Sequence, residues 1–114
     1  MRVLVCGSRH FEDKDLLNRT LKEINIAELI HGCARGADSL AGEYATANDI
    51  PQHRYPALWD LHGKRAGPIR NHQMLREGKP DLVVGFLFEN SRGTKHMLDI
   101  ARKAGVPVKV INCA

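Results

Sequence analysis

Four short stretches of this chain carry residue types suited to holding an anionic group. The first is Gly7-Ser8-Arg9. Gly7 admits a tight turn and close backbone approach, Ser8 offers a hydroxyl, and Arg9 can fork onto a phosphate. The second runs Gly32-Cys33-Ala34-Arg35-Gly36-Ala37-Asp38. It reads as a glycine-bearing loop entering a helix, where bare amides and the helix dipole favour an anion. Arg35 adds a mobile positive charge there. Asp38 is a candidate acid, or equally a carboxylate capping the first turn of its own helix. The spacing is not that of a Walker A loop, because the Lys-Ser/Thr pair is missing.

The third stretch, Trp59 to Asn71, gathers Lys64, Arg65 and Arg70 around Gly63 and Gly67 and leads into a helix. Arg70 can bridge to a phosphate or carboxylate, and Asn71 can read an amide or hydroxyl. Trp59 can stack on a base, although a lone tryptophan in a small domain more often packs in the core. Lys64 and Arg65 read as solvated. The fourth stretch ends in Glu89-Asn90-Ser91-Arg92-Gly93-Thr94, with Glu89 a further candidate acid. Gly93 and Thr94 place a bare amide and a hydroxyl at another helix start, unless Thr94 is simply the N-cap.

The elements that must position these residues follow from hydrophobic patterning. Residues 2–6 read as a buried strand, and 13–25 as a helix with Leu16, Leu17, Leu21 and Ile24 on one face. Residues 28–31 read as a strand and 37–48 as a helix whose inner surface is Leu40, Ala41, Tyr44, Ala45 and Ala47. A short strand is expected at 53–55, while 57–66 is ambiguous. Residues 68–77 look helical with Pro68 in the first turn, 81–87 form the clearest central strand, and 94–103 form a helix closed by Gly105. Residues 107–111 make the last strand. Strands alternating with helices predict an α/β domain over residues 1–114. Its architecture would be a three-layer, Rossmann-like parallel sheet covered on both faces. Ligands of such sheets lie beyond the carboxyl ends of the strands, where all four stretches fall.

Composition narrows the classes further. Hydrophobic residues make up 43% and charged residues 26%, which suits a globular domain and argues against disorder. The longest apolar run, Leu82 to Leu87, is far short of a membrane span, and no secretory pattern opens the chain, so a cytoplasmic protein is expected with no membrane partner. Three cysteines, Cys6, Cys33 and Cys113, form no C-x-x-C pair, and Cys6 reads as a small core hydrophobe. His10, His31, His53, His62, His72 and His96 lack ligand spacing, and His72 and His96 are expected at the surface. No metal or other cofactor is therefore expected. Ser8 lies in no nucleophile elbow. The formal net charge of +4 fits an anionic ligand.

Taken in order, several motifs are shared with a known group. They are Gly7-Ser8-Arg9, then Gly32-x-Ala34-Arg35-Gly36-Ala37-Asp38, then Trp59-x-x-x-Gly63-Lys64-x-Ala66-Gly67-Pro68-x-Arg70-Asn71-x-x-Met74-Leu75, then Gly93-Thr94. The chain thereby resembles the SLOG superfamily from Val3 to Val110, and most closely its small YspA-like branch, often found in bacteria and phages. The resemblance implies a Rossmann-like sheet and a nucleotide-type ligand at Gly7, Ser8, Gly32, Gly36, Arg70, Gly93 and Thr94. The superfamily includes the LOG phosphoribohydrolases and the DNA-processing DprA proteins. LOG enzymes carry Pro-Gly-Gly-x-Gly-Thr-x-x-Glu; here the acid position holds Met97, which cannot act as a general base or stabilise an oxocarbenium ion. LOG-type hydrolysis would then fall to Asp38, Asp60 or Glu89.

The expectation is a nucleotide-type small molecule bound by phosphate-cradling loops at the carboxyl edge of the sheet. Hydrolysis at an N-glycosidic or phosphate bond would use Arg70 to orient substrate and Asp38 or Glu89 as acid/base. The alternatives are a non-catalytic nucleotide sensor and a DprA-like DNA-binding module. Nucleic acid is the weaker fit, because aromatic residues are 5% of the chain and the basic residues sit in glycine-bearing loops beside acidic ones. A homo-oligomer is expected, with the helices at 37–48 and 68–77 as its contact.

Overall fold

The first strand explains much of the architecture. A computed structural model describes residues 1–113. In it β1 (Arg2–Gly7) carries an unbroken apolar run from Val3 to Cys6, as a strand covered on both faces must. Its side chains alternate: Val3 and Val5 enter one core layer and Leu4 and Cys6 the other. β2 (Glu28–His31) divides in the same way, with Leu29 on the first face and Ile30 on the second. β3 (Gln52–Arg54), β4 (Leu82–Leu87) and β5 (Val108–Asn112) complete a five-stranded, all-parallel sheet of order β3-β2-β1-β4-β5.

The helices distribute by the direction in which the chain crosses the sheet. From β1 it moves one way, through α1 (Lys14–Lys22) to β2 and through α2 (Ala37–Ala47) to β3, and both helices pack on the Val3/Val5 face. From β3 it returns past β1 to β4 through α4 (Ala66–Gly78), then reaches β5 through α5 (Arg92–Lys103), and these cover the Leu4/Cys6 face. Crossovers of one hand must change face when they change direction. The reversal falls between β1 and β4, which pair directly from Val3↔Leu82 to Gly7↔Phe86. A crevice opens at the carboxyl end of such a switch point.

Several boundaries differ from those expected for local reasons. α1 is shorter than 13–25: Asp13 is its N-cap, accepting from the Leu16 amide at 3.0 Å, and the chain turns after Glu23 so that the Asn25 carbonyl meets the N-terminal amine at 2.9 Å. In α2 the spacing Ala37, Ala41, Ala45 puts three fully buried small side chains on the sheet, whereas Ala47 is exposed. The ambiguous stretch 57–66 resolves into a four-residue helix, α3 (Trp59–His62), and a 3₁₀ turn over Gly63–Arg65. α4 begins at Ala66, leaving Pro68 in the first turn, where its missing N–H costs no bond. α5 begins two residues before Thr94, with Ser91 at the cap position and Thr94 third inside the helix. Gly105, at φ 77°, closes it as a left-handed glycine.

Gly36, the residue before α2, is held at φ 74° against the backbone of Ser8 and Arg9, and a Cβ there would sit 2.7 Å from the Arg9 carbonyl carbon. Gly93, by contrast, has open space where a Cβ would go. Gly36→Ala is therefore expected to destabilise the fold by at least about 2 kcal/mol through backbone strain plus collision. Gly93→Ala should be neutral or stabilising by up to about 1 kcal/mol, as alanine favours helix. Urea unfolding of the two variants checks the contrast.

Candidate functional site

A cavity of about 420 Å³ lies at the carboxyl ends of β1 and β4, within the size range of small-molecule sites. The segment leaving β1 contributes Gly7, Ser8 and Arg9 to its wall, and the start of α5 contributes Gly93 and Thr94. Arg70 and Asn71 reach it from α4, Asp38 from α2, and Trp59 from α3. Cys6 and Met74 add apolar lining.

Six expected positions stand elsewhere or act differently, Asn71 among them. Gly32 and Gly36 do not line the cavity. A methyl on Gly32 would overlap the Arg70 guanidinium, and one on Gly36 would overlap the Ser8–Arg9 backbone, so both glycines permit contact between protein segments. Gly7 lines the cavity but is also needed for packing, since a Cβ there would come within 2.6 Å of the Ala37 methyl. Arg35 is exposed outside the cavity. Glu89 is exposed in an adjoining shallow groove with Phe88, and its main-chain carbonyl accepts from Lys95 Nζ. Residues the motifs did not single out take part instead: Arg92 and His10 line the wall. Arg92 opens α5 immediately before Gly93-Thr94, and that position at the helix start is the signal that could have found it.

Arg70 is the most constrained of the three cavity arginines. Its Nη1 donates to the Gly32 carbonyl and its Nε donates to Asn71 Oδ1 at 3.1 Å. Asn71 Nδ2 in turn lies 3.3 Å from the Gly93 carbonyl and 3.1 Å from His96 Nδ1. Asn71, expected to read a ligand, is 5% exposed with its amide already engaged on both sides. It positions Arg70 and ties α4 to the start of α5. His96 is correspondingly half-buried, not free at the surface, and stacks edge-on to the exposed His72 with ring centres 5.4 Å apart. Burial, reinforced by the neighbouring His72, lowers the His96 pKa, which favours the neutral ring that can accept from Asn71.

The α5 start supplies the donors. The Lys95 amide bonds to the Ser91 carbonyl at 3.0 Å, leaving the Gly93 and Thr94 amides among the four that a helix start cannot pair internally. Ser91 Oγ accepts from the Phe88 amide at 3.2 Å and shapes the loop into the helix. Ser8 Oγ accepts from the His10 amide at 3.1 Å, so its proton remains for a ligand. Arg9, Arg70 and Arg92 surround these donors, against one lining carboxylate, Asp38. Trp59, more often a core residue, is here 58% exposed at the cavity wall. Among the described residues no group of three His, Cys, Asp or Glu side chains comes together as metal ligands.

Asp38 does not cap its own helix. Its Oδ2 reaches back to accept from the Gly32 amide at 3.0 Å and the Ala34 amide at 3.2 Å, which folds the loop before α2. Oδ1 is the oxygen left for a ligand. Burial raises its pKa from 3.8 to about 6, against the opposing pull of the two amides and Arg70. Burial likewise pushes the Cys6 thiol up, so it stays protonated and unreactive. Met97, at the position of the LOG glutamate, is fully buried in the core layer with Leu4 and Val83 and does not line the cavity.

The Asp38 shift has a signed consequence. A folded-state value above the unfolded one means that the native chain binds this proton more tightly, so stability falls as pH rises from about 4 to about 6. The loss is on the order of 3 kcal/mol. Asp38→Asn keeps an acceptor for both amides and has no proton to lose. Relative to it, the native protein is expected to lose stability across that window in urea titrations; identical pH dependence would rule out the effect.

Comparison with known proteins agrees with this architecture. The sequence profile of YAcAr, the YspA, cpYpsA-related SLOG family, matches residues 1–62, just over half of the chain. The Gene 61 protein of Mycobacterium phage D29 is similar at 38% identity over 122 aligned positions, covering 94% of this chain and 93% of that protein. No solved structure matches. The shared sequence extends over β1, α2 and the loops between them, and the chain belongs to the YspA, cpYpsA-related SLOG family.

Proposed function

We propose that this protein binds a nucleotide or nucleotide-derived small molecule through its phosphate. The observation that carries the reading is the cavity at the β1/β4 switch point, where the open start of α5 and three arginines face one space. Unpaired amides and the positive end of a helix dipole attract an anion. Arginine adds charge-assisted, bidentate bonds to phosphate. Arg70 is held rigid by Gly32 and Asn71, so little of its side-chain freedom is lost on binding. Membership of a SLOG family supports a nucleotide-related ligand. Burial of Met97 supports binding without LOG-type turnover.

Hydrolysis is a second reading, and Asp38 is what favours it. A cavity carboxyl with a pKa of about 6 is part protonated near neutral pH and can serve as an acid/base. In N-glycosidic hydrolysis it would protonate the departing base while water adds to the anomeric carbon. Glu89, outside the cavity, has no part in this scheme.

Calorimetry with nucleoside monophosphates tests the main reading. Arg70→Ala is expected to weaken binding by about 1.5–3 kcal/mol, roughly 10- to 150-fold. Absence of binding to every phosphorylated compound in the panel would end it. Chromatography for free base separates the two readings: none is expected, and release abolished by Asp38→Asn would establish turnover.

A further inference from the structure

Among the described residues, four of the five large apolar side chains left exposed fall within one short stretch beside the cavity. They are Leu58 at 53%, Trp59 at 58%, Leu61 at 72% and Ile69 at 40%, with Met1 the fifth. Clustered exposed apolar surface of this kind marks a contact site. Only Trp59 of the four lines the cavity. Its ring passes over Gly67, where an added methyl would still sit 3.6 Å from the ring edge, so the indole lies on α4 without being locked beneath other side chains.

The helix that carries Trp59 is a short, self-contained unit. α3 closes its hydrogen bonds within itself, with the Leu61 and His62 amides both donating to the Leu58 carbonyl at 3.1 and 2.9 Å. Its substantial packing is on the following 3₁₀ turn and on α4, with none on the sheet or α5. It ends at Gly63, in the left-handed region at φ 57° with open space around it. A short, internally bonded helix with few packing neighbours and a glycine at its end is the kind of element that closes over a ligand.

From this geometry we infer that Trp59 is the platform for a planar aromatic ring of the ligand, and that α3 closes over that ring while the α5 start holds the phosphate. The inference rests on the phosphate-binding reading and adds a requirement to it: the ligand carries a base, and sugar phosphate alone engages half the site. Stacking on an indole tolerates any base, because every base offers a π face. Closure also gives a reason for Leu58 and Leu61, which would exclude water above the stacked ring.

Trp59 is the only tryptophan in the chain, so its emission reports this event directly. The probes are adenosine monophosphate, ADP-ribose and ribose 5-phosphate, titrated into the full chain with emission and calorimetry read together. Both base-bearing probes are expected to quench and shift the emission, and ribose 5-phosphate to bind while leaving it nearly unchanged. Trp59→Ala should weaken adenosine monophosphate by about 5- to 100-fold and leave ribose 5-phosphate within twofold. Trp59→Phe should recover most of the loss. Base-bearing probes that bind in calorimetry without changing the emission, or that bind Trp59→Ala as well as the native chain, overturn the platform and leave the phosphate anchor standing. No binding of any probe overturns both. Emission that shifts with protein concentration and not with ligand would assign the patch to a second copy of this chain instead.

Discussion

Ser8 carries the junction on which the rest of the site depends. Its amide donates to the Phe86 carbonyl at 3.2 Å, and its carbonyl accepts from Phe11 at 3.1 Å and Ala37 at 3.3 Å. One residue thus ties the exit of β1 to the end of β4 and to the start of α2. The arrangement requires that Gly7 and Gly36 carry no side chains, since either Cβ would displace the backbones that meet there. Removing that clearance would separate the segments that form the cavity wall. Glycines in this family of loops are commonly taken as cradles for phosphate; at these positions they serve first to let protein approach protein.

A second set of contacts converts the junction into a charged cavity. Asp38 is buried, and Arg70 lies near enough to lower its pKa, yet burial dominates and the carboxyl remains a weak acid. The carboxylate organises the loop before α2, while the guanidinium lies on Gly32 of that same loop. Loop shape and cavity charge are therefore coupled. A change at Asp38 alters the loop that supports Arg70, and a change at Arg70 alters the ionisation of Asp38. Asn71 extends the coupling to α5 through the Gly93 carbonyl, so the cation and the helix start facing it are set relative to one another by one amide.

The two walls of the cavity are attached differently. The β1 exit is tied by main-chain hydrogen bonds to Phe86 of β4 and to the α2 start, and the α5 start is tied to α4 through Asn71. The wall carrying Trp59 packs chiefly on α4 and the 3₁₀ turn that leads into it. A rigid anionic subsite facing a movable aromatic wall suits a ligand with one charged end and one planar end. Opening energies are lowest where buried apolar contacts are fewest, and the exposed leucines on either side of Trp59 place α3 at that end of the range.

By itself the sequence determined the alternation of strands and helices, the parallel sheet and the placement of motifs after strands. Each follows from local signals: apolar runs such as Leu82 to Leu87, the i, i+4 spacing of Leu17 and Leu21, and glycines and prolines at boundaries. It also carried the family resemblance from Gly7-Ser8-Arg9 onward. Only the tertiary structure decided which motif residues meet. Arg35 and Arg70 have the same chemistry on paper, but one projects from a loop and the other is pulled inward by the Gly32 carbonyl, a partner 38 residues away. The sequence leaves Asp38 open as an acid or a helix cap, and only the folded loop shows its carboxylate engaged by the Gly32 and Ala34 amides. Trp59 is a core-type residue in an exposed position, because α3 packs chiefly on α4 and the 3₁₀ turn rather than on the sheet. Spacing along the chain encodes which face of an element a residue occupies. Distances between elements are set by how those faces pack, and the cavity exists only as a product of that packing.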